Sequence, residues 1–173
     1  PASRRCRRWR SPSARAAVRS PDDWCTHGRR GSSGATVDWS YALLDDDERR
    51  VFNRLAVFQG GWTLTAAEAV VGDEGRAEGQ VLDVVGRLVE RSMVVVERGR
   101  HTRYRMLETL RQYAHERLAD AGELGTLGAR HAAHFRSLAE EAELELRGHG
   151  QREALRLLRE EQPNIRTALA WLG

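Results

Sequence analysis

The side chains best suited to chemistry are basic residues spaced between positions 98 and 105, where the sequence predicts a hairpin. Guanidinium groups at this spacing can contact the phosphates of a nucleic acid or the carboxylates of a protein surface. Otherwise the hairpin is simply solvated, or it faces an acidic surface of its own parent protein. The candidate DNA or partner contacts are Arg98, Arg100, His101, Arg103 and Arg105.

Two histidine and cysteine groupings could hold a metal ion, but neither is complete. His131 and His134 share one face of a predicted helix, and no third ligand is obvious, so surface or half-buried histidines are the better interpretation. Cys25 and His27, with the distant Cys6, lack a fourth ligand and the closely paired cysteines of a zinc site. We therefore predict no metal site.

The chain contains no lysine, since all 28 of its Lys and Arg residues are arginine. A phosphate-binding loop needs a lysine on the nucleotide phosphates and a glycine-rich turn after a strand, so this chain cannot form one. No ordered Ser/His/Asp set and no zinc-protease motif is present either. We predict that the chain is not an enzyme, with no catalytic residue and no cofactor.

The acidic run from Asp45 to Glu48 could suggest a metal site, but it stands directly before a helical pattern. Carboxylates there accept the free amides of the first turn and suit the helix dipole. The sequence therefore predicts a helix that continues to about Phe58 and stops at Gly60-Gly61, with Trp62 packing back on the core.

A second and a third helix follow. The string Thr65-Ala66-Ala67-Glu68 predicts a capping box and a short helix ending at Gly72. The apolar period over about Gln80 to Arg91 predicts the third.

The hairpin comes next. Met93 to Val96 reads as a strand, Glu97 to Arg100 as a turn, and the alternation of Thr102, Tyr104 and Met106 with arginines as a second strand. Three helices and a hairpin are the layout of a winged helix, with the hairpin as the wing.

After the wing the pattern is helical to the end of the chain. A helix opens at Leu107 or Glu108 and stops at Gly122, and a long one covers about Gly128 to Leu146. Shorter helices follow, with Pro163 in the first turn of the last. The predicted fold is mainly α with a small β-hairpin: a winged helix-turn-helix domain followed by antiparallel helices that start a TPR-like array.

Residues 1–35 show no helix or strand period and are rich in Arg, Ser, Ala, Gly and Pro. They could form a basic arm for nucleic acid, but we expect a disordered tail or GC-rich coding sequence read out of frame. The positive charge is concentrated there: residues 1–36 hold 9 Arg against 2 Asp, and residues 37–173 hold 19 Arg against 23 acids. We predict a winged-helix domain over 36–122 and a truncated helical-repeat segment over 123–173.

The chain does not begin with Met, which suggests a fragment. Its longest apolar runs are far short of a membrane span and no signal peptide is visible, so we expect a cytoplasmic protein without membrane contact.

Several long strings resemble a known family. They are TVDWSYALLDDDERRVFNRLAVFQGGWTLTAAEAV, VLDVVGRLVERSMVVVE, RYRMLETLRQYAHERLADAGE, RHAAHFRSLAEEAE and NIRTALAWL, and they cover about residues 36–173. These strings resemble the winged-helix segment and first helical repeats of bacterial signal-transducing ATPase regulators, which include LuxR-type and SARP-like transcription factors of actinobacteria.

The resemblance implies a winged helix that closes over a nucleotide bound by a neighbouring ATPase domain, which this chain lacks. In the family the second strand of the wing often ends in a Met-His-Asp motif whose histidine senses the phosphates. Here Met106-Leu107-Glu108 stands in that place, so phosphate sensing is not carried over. Leu107 is interpreted as a core residue and Glu108 as a carboxylate at a helix start.

Three functional hypotheses follow. The one we prefer is a non-catalytic regulatory module of an ATPase-type transcriptional regulator that relays the nucleotide state to helical repeats, its partners being the ATPase domain and those repeats. The second is DNA binding through the Arg-rich wing, because residues 78–91 carry a net charge of −1 and suit a groove poorly. The third is a truncated fragment without independent activity.

Overall fold

The computed structural model describes residues 32–72 and 79–173. The predicted class, mainly α with a small hairpin, is confirmed. The helices are α1 (Ser32–Ala42), α2 (Asp46–Leu55), α3 (Leu64–Val71), α4 (Gln80–Glu90), α5 (Glu108–Asp120), α6 (Leu124–Leu146), α7 (Gln151–Glu160) and α8 (Gln162–Leu172), and the strands are β1 (Val95–Arg98) and β2 (Thr102–Arg105).

Helix α1 begins at Ser32, inside the stretch 1–35 that was expected to lack structure. Residues 1–31 lie outside the described part of the chain, and the prediction of a disordered tail falls there. Tyr41 of α1 contacts the rings of Phe52 and Tyr113, with ring centroids 5.9 and 5.2 Å apart. Helix α1 therefore packs on α2 and α5.

The acidic run caps α2, as predicted. The Oδ1 atom of Asp45 accepts a hydrogen bond from the Glu48 amide at 2.8 Å, and the Glu48 carboxylate accepts one from the Asp45 amide at 3.0 Å. This reciprocal pair is a capping box. The helix ends at Leu55, three residues before the predicted end, and Trp62 is buried in the core.

The capping box predicted at Thr65 is wrong. The residue that caps α3 is Thr63, whose hydroxyl accepts a hydrogen bond from the Ala66 amide at 3.2 Å. Trp62, directly before it, exchanges two backbone hydrogen bonds of 2.8 Å with Tyr104 of the wing. This pairing keeps the chain extended up to Thr63, so the helix begins at the next residue and Thr65 lies within its first turn.

The first strand begins at Val95, two residues later than predicted, because the end of α4 retains Met93 and Val94. Ser92 adopts a left-handed conformation with φ of 60°. Its amide donates to the Val89 carbonyl at 2.9 Å, and the Met93 amide donates to the Leu88 carbonyl at 2.9 Å. These two bonds form a Schellman motif, so the chain becomes free for strand pairing only after Val94.

The wing is an antiparallel hairpin in which Val95 pairs with Arg105 and Arg98 with Thr102. The turn is therefore residues 99–101 rather than 97–100. Trp62 also forms an isolated antiparallel β-bridge with Tyr104 of β2. Gly61 is required there, since a Cβ atom would lie 3.0 Å from the Tyr104 carbonyl oxygen.

Helix α5 begins at Glu108, which confirms the prediction that Glu108 is a carboxylate at a helix start. The prediction that Leu107 is a core residue is wrong, since 47% of it is exposed. Leu107 is extended at the helix N-cap, and Met106 and Leu110 on either side are the residues that enter the core.

Helix α6 begins at Leu124, four residues before the predicted start, and both α7 and α8 pack against it. We call α6–α8, residues 124–172, the helical segment. It shares one hydrophobic core with the winged helix: Phe58 contacts the ring of Trp62 at 5.5 Å and that of Phe135 on α6 at 6.2 Å between centroids. The core is therefore continuous across the boundary proposed at residue 122. In the described ranges no helix is long and apolar enough to cross a membrane.

Candidate functional site: the wing and the surface it contacts

Arg103 on β2 contacts the helical segment. Its guanidinium donates to the carboxylate of Glu161, which lies where α7 ends and α8 begins. Glu161 is almost completely buried, with 2% exposed, and the Arg103 side chain is 17% exposed. A pair this shielded from water is far more costly to break than a surface ion pair.

The protonation of Arg103 reflects this contact. Burial of the guanidinium alone would lower its pKa, but the hydrogen bond from Arg103 to Glu161 and the negative charge of that carboxylate raise it more. The pKa of Arg103 is therefore above its ordinary value, and the guanidinium stays charged.

Asn164 connects this ion pair to the rest of the core. Its Nδ2 atom donates to Glu161 and to the Gly61 carbonyl, both at 2.8 Å. Its Oδ1 atom accepts a hydrogen bond from the Gln59 amide at 2.7 Å and lies 3.4 Å from His131 Nε2. One buried polar network therefore joins the wing, the loop before α3, and helices α6 and α8.

The tip of the wing makes a second, exposed set of contacts with α7. Arg100 lies 3.1 Å from the carboxylate of Glu153. Arg156 donates to His101 at 3.3 Å and forms an ion pair with Glu153 at 2.6 Å. Exposed pairs of this kind contribute up to about 1 kcal/mol each. They orient the tip against α7 more than they stabilise it. We call the contacts of Arg100, His101 and Arg103 with Glu153, Arg156 and Glu161 the wing–helix contact.

The two remaining basic residues of the predicted set do not take part. Arg105 forms an ion pair with Glu97 on the neighbouring strand of the wing. Arg98 is exposed, and within residues 32–72 and 79–173 it forms no ion pair. The structure thus brings three of the five predicted residues against the helical segment. In this arrangement the hairpin contacts two carboxylates of its own chain, Glu153 and Glu161.

Helix α4 occupies the position of a recognition helix. The arginines of this region contact Glu48, and the sequence did not predict these contacts. Glu48 is fully buried and accepts hydrogen bonds from Arg87 Nε at 3.0 Å and from Arg91 Nε at 3.3 Å. The carboxylate is therefore a cap of α2 and also the partner of Arg87 on α4 and of Arg91 at the C-cap of that helix. The exposed positions of α4 include Asp83 and Glu90, which repel phosphate.

His131 and His134 differ in their surroundings. The prediction of surface or half-buried histidines holds for His134 and is wrong for His131, which is 2% exposed and packs on Phe135 with ring centroids 4.6 Å apart. Burial lowers the pKa of His131 to about 4, and it also lowers that of His134. Among the described residues, no group of three His, Cys, Asp or Glu side chains could hold a metal ion.

Comparison with known proteins agrees with the architecture. The sequence profile of the winged helix-turn-helix domain matches residues 44–119, which cover α2 to α5 and the wing. The chain therefore contains a winged helix-turn-helix domain. No solved structure matches the chain with statistical significance.

Curated relatives come from mycobacteria. Rv0890c of Mycobacterium tuberculosis, whose name describes it provisionally as an HTH-type transcriptional regulator, is 41% identical over 145 residues, or 83% of this chain. Mb0914c of Mycobacterium bovis has the same description and identity. Rv0894 of Mycobacterium tuberculosis, named as an uncharacterized protein, is 44% identical over 104 residues, or 59% of this chain. The aligned part spans only 16% of Rv0890c and 26% of Rv0894.

Proposed function

We propose that this chain is a non-catalytic regulatory module of a transcriptional regulator, in which the wing binds the helical segment instead of DNA. The observation that carries the proposal is the buried ion pair between Arg103 and Glu161, which directs a cation of the wing into the helical segment. The names of the mycobacterial relatives support a role in transcriptional regulation.

Helix α4 supports the same conclusion. A helix that reads DNA offers Arg, Lys, Asn or Gln to base edges and phosphates. The two arginines of this region, Arg87 and Arg91, bind Glu48, and Gln80 is the one amide side chain on α4. This helix is built to pack on α2 more than to enter a groove.

In its more specific form, the proposal follows the resemblance to signal-transducing ATPase regulators. The winged helix would relay the nucleotide state of a neighbouring ATPase domain to helical repeats in a cytoplasmic protein. The continuous core between α3 and α6, and the network around Asn164, support such a relay, because they connect the winged helix to α6 and α8 by direct contacts.

DNA binding through the wing is a second candidate. Two basic side chains at the tip favour it: Arg98 is exposed, and the Arg100 side chain is 70% exposed. A wing contacts phosphates with side chains of this type.

Titration of the full chain with a 20-base-pair duplex at several salt concentrations separates the two candidates. The test variant is Arg98→Ala/Arg100→Ala. The matched control is Arg136→Ala/Arg147→Ala, which removes the same charge from α6 and its C-cap. Both arginines pair with glutamates of α6. Residues 1–31 are identical in all three proteins, so any binding by that segment cancels.

The regulatory proposal predicts that the test and control variants bind the duplex alike, within about twofold, with equal salt slopes. If the wing already contacts two phosphates, the salt slope of the test variant will be about 1.8 smaller than that of the control. That result would replace the regulatory proposal with the DNA-binding one.

A further inference from the structure

Two carboxylates of the helical segment contact arginines of the wing. Glu153 and Glu161 contact Arg100 and Arg103, and Glu160 adds negative charge near Arg103. A carboxylate and a phosphate bind the same donors of a guanidinium, so a carboxylate that occupies those donors competes with a phosphate for them.

We propose that the wing–helix contact is autoinhibitory: Glu153 and Glu161 compete with the phosphates of duplex DNA for Arg100 and Arg103. The proposal rests on the regulatory function proposed above, since it takes the bound wing as the resting state. It adds that movement of α7 and the start of α8 away from the wing exposes a phosphate-binding surface. That surface consists of Arg98, Arg100, His101 and Arg103.

Helix α7 is the element suited to move. Ala154 is its one buried residue, while Leu155 and Leu157 are 47% and 37% exposed. An element with so few buried apolar contacts opens at a smaller free energy than the core around it. Its contacts with the wing tip are one exposed ion pair and one exposed hydrogen bond, so Glu161 is the main group that keeps the wing closed.

The released surface has the composition that a phosphate site needs. Arg98 is already exposed, and Arg100 and His101 lie in the turn of the hairpin beside it. Release of Arg103 would add a third guanidinium. Glu97 is the acidic residue within the hairpin, and it is paired with Arg105.

The experiment compares Glu153→Gln/Glu161→Gln with Glu140→Gln/Glu143→Gln in the full chain. Both variants change the net charge by the same amount, but Glu140 and Glu143 lie on α6 and pair with Arg136 and Arg147. Binding of a fluorescent 20-base-pair duplex is measured between 50 and 200 mM salt. We expect the first variant to bind more tightly than the control, with a salt slope larger by about 1.8 for two released cations. Its affinity should therefore fall about tenfold more over this range.

Two further variants keep the result interpretable. We call Glu153→Gln/Glu161→Gln the open variant. Adding Arg100→Ala and Arg103→Ala to it should remove the gain in DNA affinity. Glu153→Gln alone changes a side chain that is 62% exposed and should leave the fold intact, with about half the increase in slope. A thermal melt followed by circular dichroism verifies that each protein is folded.

Equal affinities and slopes for the open and control variants would overturn the inference. The inference would also be overturned if Glu153→Gln/Arg100→Ala gained as much DNA affinity as Glu153→Gln alone. The regulatory proposal fails in a different experiment, in which both glutamates are kept. It fails if Arg98→Ala/Arg100→Ala binds DNA more weakly than its control Arg136→Ala/Arg147→Ala. The two failures can therefore be told apart.

Discussion

The contact between the wing and the helical segment predicts a measurable energetic coupling between Arg103 and Glu161. We consider the variants Arg103→Met and Glu161→Gln and the protein that carries both. Methionine keeps most of the aliphatic stem of arginine, and glutamine keeps the shape of glutamate. Each substitution therefore removes a charge with little change in packing.

The magnitude follows from the burial of the two side chains, 17% exposed for Arg103 and 3% for Glu161. Removal of one partner from a buried ion pair costs about 3–5 kcal/mol, because the other charge is left unpaired. Asn164 still donates to Glu161, so we expect about 3 kcal/mol for Arg103→Met, the lower end of that range. Glu161→Gln leaves an arginine that can reach water, and should cost about 1–2 kcal/mol.

The double variant should be less destabilised than the sum of the single ones, by about 2 kcal/mol. Urea unfolding at pH 7, followed by tryptophan fluorescence, measures all four free energies of unfolding. The matched control is the exposed pair of Arg147 and Glu143 on α6, with side chains 75% and 62% exposed. Its coupling should not exceed about 0.5 kcal/mol. A coupling between Arg103 and Glu161 as small as that of the control would refute the assignment of this pair as the main wing–helix contact.

Two predictions concern other buried groups. Because burial lowers the pKa of His131 from 6.5 to about 4, its contribution to stability is complete above pH 6.5 and is lost as the pH falls toward 4. Between pH 7 and pH 5 the loss should be about 2 kcal/mol, measured as the difference in urea unfolding between the protein and His131→Leu; an identical pH dependence in the two would contradict it. Glu48→Gln should cost about 2 kcal/mol, because the buried carboxylate accepts charged hydrogen bonds. The control Glu90→Gln, at an exposed position of α4, should stay within about 0.5 kcal/mol, and an equal effect at both positions would count against the role of Glu48.

Features set by neighbouring residues could be predicted from the sequence. The acidic cap of α2, Asp45 to Glu48, spans four residues, and Pro163 lies in the first turn of α8 as expected. The wing is also local, since its two strands are joined by a short turn. These elements depend on spacing and on residue type, both of which the sequence displays.

Errors arose where a tertiary contact or an unusual backbone decides the local structure. Thr63 replaces Thr65 as the cap of α3 because pairing with the wing keeps Trp62 extended. The first strand begins late because Ser92 takes the left-handed conformation that glycine usually supplies at a helix end. No periodic pattern in the sequence predicts the extended Trp62 or the left-handed Ser92.

The partners in the candidate site could not be predicted, because they are distant in sequence. Arg103 and Glu161 are 58 residues apart, and Glu48 and Arg87 are 39 residues apart. The basic hairpin was visible from its composition, and an acidic surface of the same protein was one of its possible partners. Which carboxylates form that surface depends on how α7 and α8 pack on α6.

The central claim, that the wing binds the helical segment in the resting chain, is tested most directly by titrating the full chain with duplex DNA. The comparison is between Arg98→Ala/Arg100→Ala and the control Arg136→Ala/Arg147→Ala. Equal affinities and equal salt slopes are the predicted result. A salt slope smaller by about 1.8 in the wing variant alone would mean that the wing already contacts phosphate, and would contradict the claim.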